Sequence, residues 1–310
     1  MSAAKNLVPM TDEAEPQDEQ RTRAEIESVH EYHAEATVLK ASLKHPLEEK
    51  IHPRAHVKLP KDGRYDFKHA EPFRFEGVIS YRNGYTQVAG HPSSKKDGFA
   101  TLVTSVLEGV NVLDVVTVDR VVAQISTVHP KFETGNQVPS VTFLGTRFEN
   151  LRIGGHEIKI EPALHILGTP KDDTSYFADG NVTDAVNKQN AKIAALKPLT
   201  TEASEEDDDA VKDDAQVMTC SLVESINGIP RAFGSPFGHV IDLPHFGRIF
   251  LGELIIRRYA GNNEKDLRER KNDKYRFNLT MIRLEMGCVG TGTASLAVAD
   301  SNGTGTGGHH

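Results

Sequence analysis

The chain has 310 residues, a formal net charge of −8, 6% aromatic residues with no tryptophan, and two cysteines. Eight carboxylates and one lysine between Glu202 and Asp214 account for nearly all of the imbalance, so the remainder is close to neutral and offers no electrostatic grip on nucleic acid or anionic lipid. Scarce aromatics argue against stacking platforms, two cysteines build no disulfide framework, and no apolar run approaches the roughly 20 residues of a membrane helix.

Residues 1–31 read as a polar, flexible tail. They contain no apolar stretch of the kind a secretory signal needs, which predicts a cytoplasmic protein, or an exported one if a leader has been removed. From His33 the pattern alternates, with Ala34, Ala36 and Val38 on one side. "FRFEGVISY" follows, and Asn83-Gly84 suits a tight type I′ turn into "YTQVAG". Residues 99–126 are the most strand-like part, with Val121, Ala123 and Ile125 facing one way; the valine density, broken by Gly109 and Asn111, predicts two strands. More strands lie in "SVTFLGTRFENLRIGGHEIKIEP", which turns at Gly154-Gly155.

Residues 180–217 break this rhythm. Val182, Val186, Ile193 and Leu196 have helical spacing, Asp184 is a candidate cap, and the acidic run follows, so a short helix and a solvated loop are expected as an insertion. Strands resume with "VMTCSLVESI", "GHVIDLP", "GRIFLGELIIRRY" and "YRFNLTMIRLEM". In the last, Tyr275, Phe277, Leu279 and Met281 give way to Ile282, Leu284 and Met286, a phase shift that predicts a bulge. One last short strand precedes a glycine-rich tail at 301–310, whose closing His-His is native or added. The phrases "GHEIKIEPALHILG" (155–168) and "GHVIDLPHFGRIFLG" (238–252) each follow a related unit, "TLVTSVLEGVNVL" and "MTCSLVESINGIP". They read as one β-hairpin used twice, either by internal duplication or by chance convergence.

The expected architecture is a single all-β domain over 32–300: an antiparallel sandwich or partly open barrel of short strands, carrying the insertion at 180–217. "TSVLEGVNVLDVVTVDRVVAQIST", "PSVTFLGTRFENLRIGGHEIKI", "FGHVIDLPHFGRIFLGELII" and "FNLTMIRLEMGC", in that order, resemble an uncharacterised bacterial family similar in pattern to the choice-of-anchor P surface proteins. That resemblance implies an all-β fold and, for some relatives, surface display. It implies no activity, cofactor or catalytic residue.

Candidate chemistry is sparse. His156, His239 and His245 are the candidate metal ligands, but residues three apart on a strand, such as His239 and Asp242, point to opposite faces, and Pro244 interrupts the run. Turn hydrogen bonding at strand starts is the plainer role for these rings. His30-x-x-His33 and His52-x-x-x-His56 have ligand-like spacing without further partners. Cys220 and Cys288 would pair in an exported protein and stay two buried thiols in the cytoplasm. The acidic run lacks the order of a calcium loop. No nucleophile elbow, Ser-x-x-Lys or dinucleotide fingerprint is present. No catalytic residue or cofactor is therefore expected. The leading reading is a non-enzymatic structural or interaction module capable of self-association. A small-molecule, glycan or metal-binding β domain is the alternative, and an enzyme of unrecognised type comes third.

Overall fold

A computed structural model of the chain describes residue 30 and residues 32–45, 48–93, 98–130, 138–169, 174–196, 215–259, 274–287 and 291–302. The N-terminal stretch 1–29, the acidic run 202–214, Cys288 and the closing residues 303–310 lie outside the described residues.

Strands β1 (Ala34–His45), β2 (Glu49–Arg54) and β3 (Val57–Lys58) open the fold. They lead to β4 (Arg64–Ala70), β5 (Phe73–Phe75), β6 (Ile79–Tyr81) and β7 (Asn83–Ser93), then to the two longest strands, β8 (Gly98–Val112) and β9 (Val116–Pro130). Short strands β10 (Ser140–Thr142), β11 (Arg147–Glu149), β12 (Arg152–Ile153), β13 (His156–Glu157) and β14 (Lys159–Pro162) precede helix α1 (Gly180–Ile193). After it come β15 (Gln216–Ser221), β16 (Val223–Asn227), β17 (Ser235–Phe237) and β18 (Val240–Leu243). The long strands β19 (Gly247–Tyr259), β20 (Lys274–Met286) and β21 (Thr291–Asn302) close it.

All pairings are antiparallel. One sheet runs β17-β18-β19-β20-β21-β1-β2, with β15 added to β19 and β3 to β1. The other runs β13-β12-β9-β8-β6-β5, with β10 and β11 on β9 and the ribbon β4-β7 on β8; β14 and β16 form a separate pair. Strands β1, β20 and β21 lie across β7, β8 and β9, so the two sheets face one another and do not close into a barrel. Leu39, Leu254, Phe277 and Leu296 from one sheet meet a core shared with Val103, Leu107, Val121 and Ile125 from the other. Of the two predicted architectures, the sandwich is the one that forms.

The apolar phase shift in β20 is real, but no residue is inserted there. Pairing with β19 keeps one register from Gly247–Met286 to Tyr259–Lys274. The side chains facing the core change parity along a whole row instead. Residues 277 and 279 give way to 282 and 284, 254 and 256 to 249 and 251, 299 and 301 to 294 and 296, and 34 and 36 to 39 and 41. Gly252 (φ +62) and Ala297 (φ +51) lie in that row. A left-handed residue interrupts the two-residue alternation of a strand, so the neighbours on either side can both turn inward. Gly109 (φ +62) does the same in β8, where Val103, Ser105 and Leu107 are followed by Val110 and Val112. Gly109 is therefore a step inside one strand and not the predicted break. The break falls at Leu113-Asp114, both at positive φ, where the Asn111 amide donates to Asp114 Oδ1 at 2.6 Å.

Three further expectations are corrected. Asn83-Gly84 is no hairpin turn but the start of β7; a Cβ on Gly84 would sit 2.7 Å from the Val106 carbonyl oxygen, so the glycine is there for close strand approach. The nearby turn uses Glu76-Gly77 (φ +43 and +72). The C-terminal strand is long and central, between β20 and β1; its small alanines give a weak apolar signal in the sequence, yet Ala294, Ala297 and Ala299 are buried. Helix α1 is capped by Asp179 instead of Asp184, with Oδ1 accepting from Asn181 N at 2.8 Å. The helix docks through Val182 and Val186, and Gln189 reads the backbone of Ser221 with its amide nitrogen and oxygen (3.1 and 2.9 Å).

Gly154-Gly155 form a turn as predicted, at φ +56 and +80 between Ile153 and His156. The second Gly-His phrase also makes a hairpin corner, but one residue out of step: Gly238 and His239 themselves form the turn between Phe237 and Val240. Upstream, Ser105–Glu108 lies inside β8, whereas Ser221–Glu224 spans the break between β15 and β16.

Candidate functional site

The three candidate ligands stand at separate turns. His156 is exposed at the start of β13, edge-on to Phe233 at 5.6 Å. His245 is exposed between β18 and β19, at φ +67. His239 is 2% exposed; its carbonyl accepts from Leu251 N at 3.0 Å, and its Nδ1 has no hydrogen-bond partner. Burial pulls the His239 ring down to about 4, against the opposing pull of Glu253. Among the described residues no three His, Cys, Asp or Glu side chains gather as metal ligands. His30 stacks on Phe99 at 4.0 Å while His33 approaches Glu35 at 3.7 Å, and His56 Nδ1 meets Thr37 Oγ1 at 3.0 Å, so neither spaced histidine couple becomes a ligand pair.

Beside His239, Glu253 and Arg283 bridge adjacent strands through two contacts of 2.6 and 2.9 Å, and the guanidinium lies 3.6 Å over the Phe250 ring. Arg283 also pairs with Glu285, so Glu253→Gln should cost about 1–2 kcal/mol in denaturant unfolding, the guanidinium keeping one of its two carboxylates. A loss under roughly 0.5 kcal/mol would mean that water already screens the pair.

Cys220 is a free, fully buried thiol, and burial pushes its pKa up to about 12. In a Cys288→Ser variant, Cys220 should stay inert to an aromatic disulfide reagent in the native state and react only on unfolding. Prompt native reaction would contradict this.

Two surfaces offer binding. The first is a cleft of about 410 Å³ where the β14-β16 pair meets the sandwich. Leu151, Ile158, Ile160, Leu222, Val223 and Met281 line it, together with the charged Arg147, Glu157 and Lys159. Arg147 is engaged by Glu149 at 2.6 Å and by the Gly145 carbonyl at 3.0 Å.

The second is the ribbon end of the β4-β7-β8 sheet. Six of the seven residues of β4 are exposed, and among the described residues β7 is the strand it pairs with. On its outer face Tyr65 is 59% and Phe67 46% exposed, in a chain otherwise poor in aromatics. Phe67 stacks on Tyr85 of β7 at 5.6 Å, and His69 Nε2 meets Asn83 Oδ1 at 2.7 Å. The opposite face carries Arg64, Asp66 and Lys68. Neither surface was predicted. The cleft has no spacing signature, since its walls come from six elements; β4 does have one, the alternation of Tyr65, Phe67 and His69.

Fold and surfaces together define an antiparallel β-sandwich with an exposed aromatic edge. The family described as "Domain of unknown function (DUF8256)" matches residues 30–257, and the chain belongs to that family. No curated protein and no solved structure matches, and nothing links the chain to the choice-of-anchor P proteins. Among the described residues no helix is long and apolar enough to cross a membrane.

Proposed function

We propose that the chain is a non-enzymatic interaction module that self-associates through an exposed sheet surface. The observation that carries this reading is β4, a sheet edge with two large aromatic rings in water. Soluble folds normally blunt such edges, because open strand hydrogen bonds and apolar side chains invite another strand. Light scattering and native mass spectrometry across a concentration series test it. A rising fraction of species larger than one chain is expected, and a strict monomer that holds no protein partner overturns it.

The cleft favours a second reading, a small-molecule-binding domain. Its volume falls in the roughly 300–1,000 Å³ range of ligand sites, and its lining mixes apolar side chains with polar and charged ones, Asn150, Glu157, Arg147 and Lys159 among them. Ile160→Trp, at a half-buried position of the β14-β16 pair, should fill the cleft and weaken binding of an anilinonaphthalene sulfonate probe about tenfold or more. Unchanged probe binding would remove this reading.

A further inference from the structure

On the reading that the chain self-associates, we infer that a second copy adds to the open edge of β4, antiparallel, with the two Phe67 residues facing each other across the two-fold axis. Three observations carry it: which backbone groups are open, where the strand is centred, and how its charges are ordered.

The amide of Phe67 donates to Asp66 Oδ1 at 2.8 Å, so a side chain and not β7 takes its hydrogen. Successive residues of an antiparallel strand send their backbone groups to opposite sides. Tyr65, Phe67 and His69 therefore supply the open edge, while Arg64, Asp66, Lys68 and Ala70 bond to β7. A second copy must match open residue to open residue. Five centres, residues 65 to 69, satisfy that within the strand; centred on His69 only 68–70 lie in strand, and charge or strand length separates the other four.

Centred on Asp66, the pairing sets Asp66 against Asp66 and Arg64 against Lys68. Centred on Lys68, it sets Lys68 against Lys68. Centred on Tyr65, only 64–66 lie in strand, because the chain turns through Pro60–Gly63, where Gly63 N bonds to Pro60 O at 3.0 Å. Centred on Phe67, the pairing spans the whole strand, with 65–69 in register and Arg64 (φ +96) and Ala70 at its ends. Asp66 then faces Lys68 of the second copy at two symmetric points, Tyr65 faces His69 twice, and Phe67 faces Phe67. Opposite charges directly across a strand pair stabilise it and like charges oppose it.

The outer face then carries a continuous aromatic strip: Tyr85 and Phe67 of one copy, Phe67 and Tyr85 of the other. In the single chain Asp66 covers the central amide; in the pair it turns to Lys68 and leaves that amide to the strand. The β4-β7-β8-β9 sheet thus continues across the axis into its counterpart. One added strand per copy is smaller than the roughly 1,600 Å² of a stable interface, so the dimer is a weak, exchanging one.

Sedimentation velocity on the full chain tests it, using wild type, Asp66→Lys, Lys68→Asp, and an equimolar mixture of the two variants. Both altered positions are exposed, and circular dichroism checks that each variant folds. Wild type should dimerise with rising concentration. Each variant alone should dimerise at least about tenfold more weakly, since like charges then meet at two points. The mixture should recover a heterodimer, because both lysines of the Asp66→Lys chain would then face carboxylates of the Lys68→Asp chain. A wild-type dimer that both reversals leave intact overturns the β4 interface and leaves self-association standing on another surface. Loss in both variants without recovery in the mixture overturns the Phe67-centred register. A wild type that stays monomeric up to about 1 mM overturns the interface and the self-association reading together.

Discussion

Phe277→Ala should lower the unfolding free energy by about 3–5 kcal/mol, read from the denaturant midpoint at an unchanged slope. Phe277 is fully buried in β20, beneath the segment that leads into the helix. Tyr275 stacks beside it at 6.2 Å and Tyr176 meets it edge-on at 5.9 Å. Tyr176 donates to the Pro139 carbonyl at 2.6 Å, and the Tyr275 hydroxyl meets Ser175 Oγ at 3.0 Å, so neither neighbour is free to collapse into the vacated space. A cavity with fixed walls retains its full penalty. Phe277→Leu keeps most of the volume and should cost about 1–2 kcal/mol. Phe67→Ala, on the exposed edge, should stay within about 0.5 kcal/mol in a dilute monomer. If Phe277→Ala costs less than about 1 kcal/mol, the ring cluster is not the packed unit described above.

Acidification from pH 7 to pH 5 should destabilise the protein before its carboxylates titrate. Burial holds both His30 and His239 at about 4, below their ordinary 6.5. In the unfolded chain they take up protons near 6.5, while the folded chain keeps them neutral. Their stabilising effect is thus complete above about 6.5, declines as the pH drops and levels off near 4, where the folded rings accept protons too. By pH 5 a fully buried histidine with this shift contributes a loss of about 2 kcal/mol; the partly exposed His30 contributes less. Glu35 and Glu224, both held below their ordinary range, lose their effect only below about 4.5, in a separate window. Glu35 is lowered despite burial, by the hydrogen bond and charge of Lys58; in Glu224 the hydrogen bond from Lys192 dominates. His239→Gln should reduce the proton uptake on unfolding by close to one near pH 5, and by only about a quarter of a proton at pH 7. An identical pH dependence in wild type and His239→Gln would show that the ring is solvated.

Strand content and the Gly154-Gly155 corner are legible in the sequence because period-two burial and paired glycines are local signals. What misleads is glycine with a second use. Gly84 follows Asn83 as in a type I′ turn, yet it makes room for the Val106 carbonyl of the next strand, a contact set by a residue far along the chain. Gly109 looks like a break between strands and is a step within one. The C-terminal strand is undervalued because Ala294, Ala297 and Ala299 carry little apolar weight individually, although the sheets on either side bury them. Of the surfaces, β4 is readable in principle from Tyr65, Phe67 and His69. The cleft is not, since its walls converge only after β14 and β16 pair across the intervening helix and acidic run.

The left-handed steps at Gly252 and Ala297 also bear on how the sheet is assembled. In an ordinary amphipathic strand, sliding by two positions returns every apolar group to the inside, so misaligned intermediates can persist. Here such a slide carries the step of β19 out of line with that of β21 and leaves the groups beside it facing water. The β19-β20-β21 part of the sheet therefore has one alignment in which the side chains on both sides of the step stay buried.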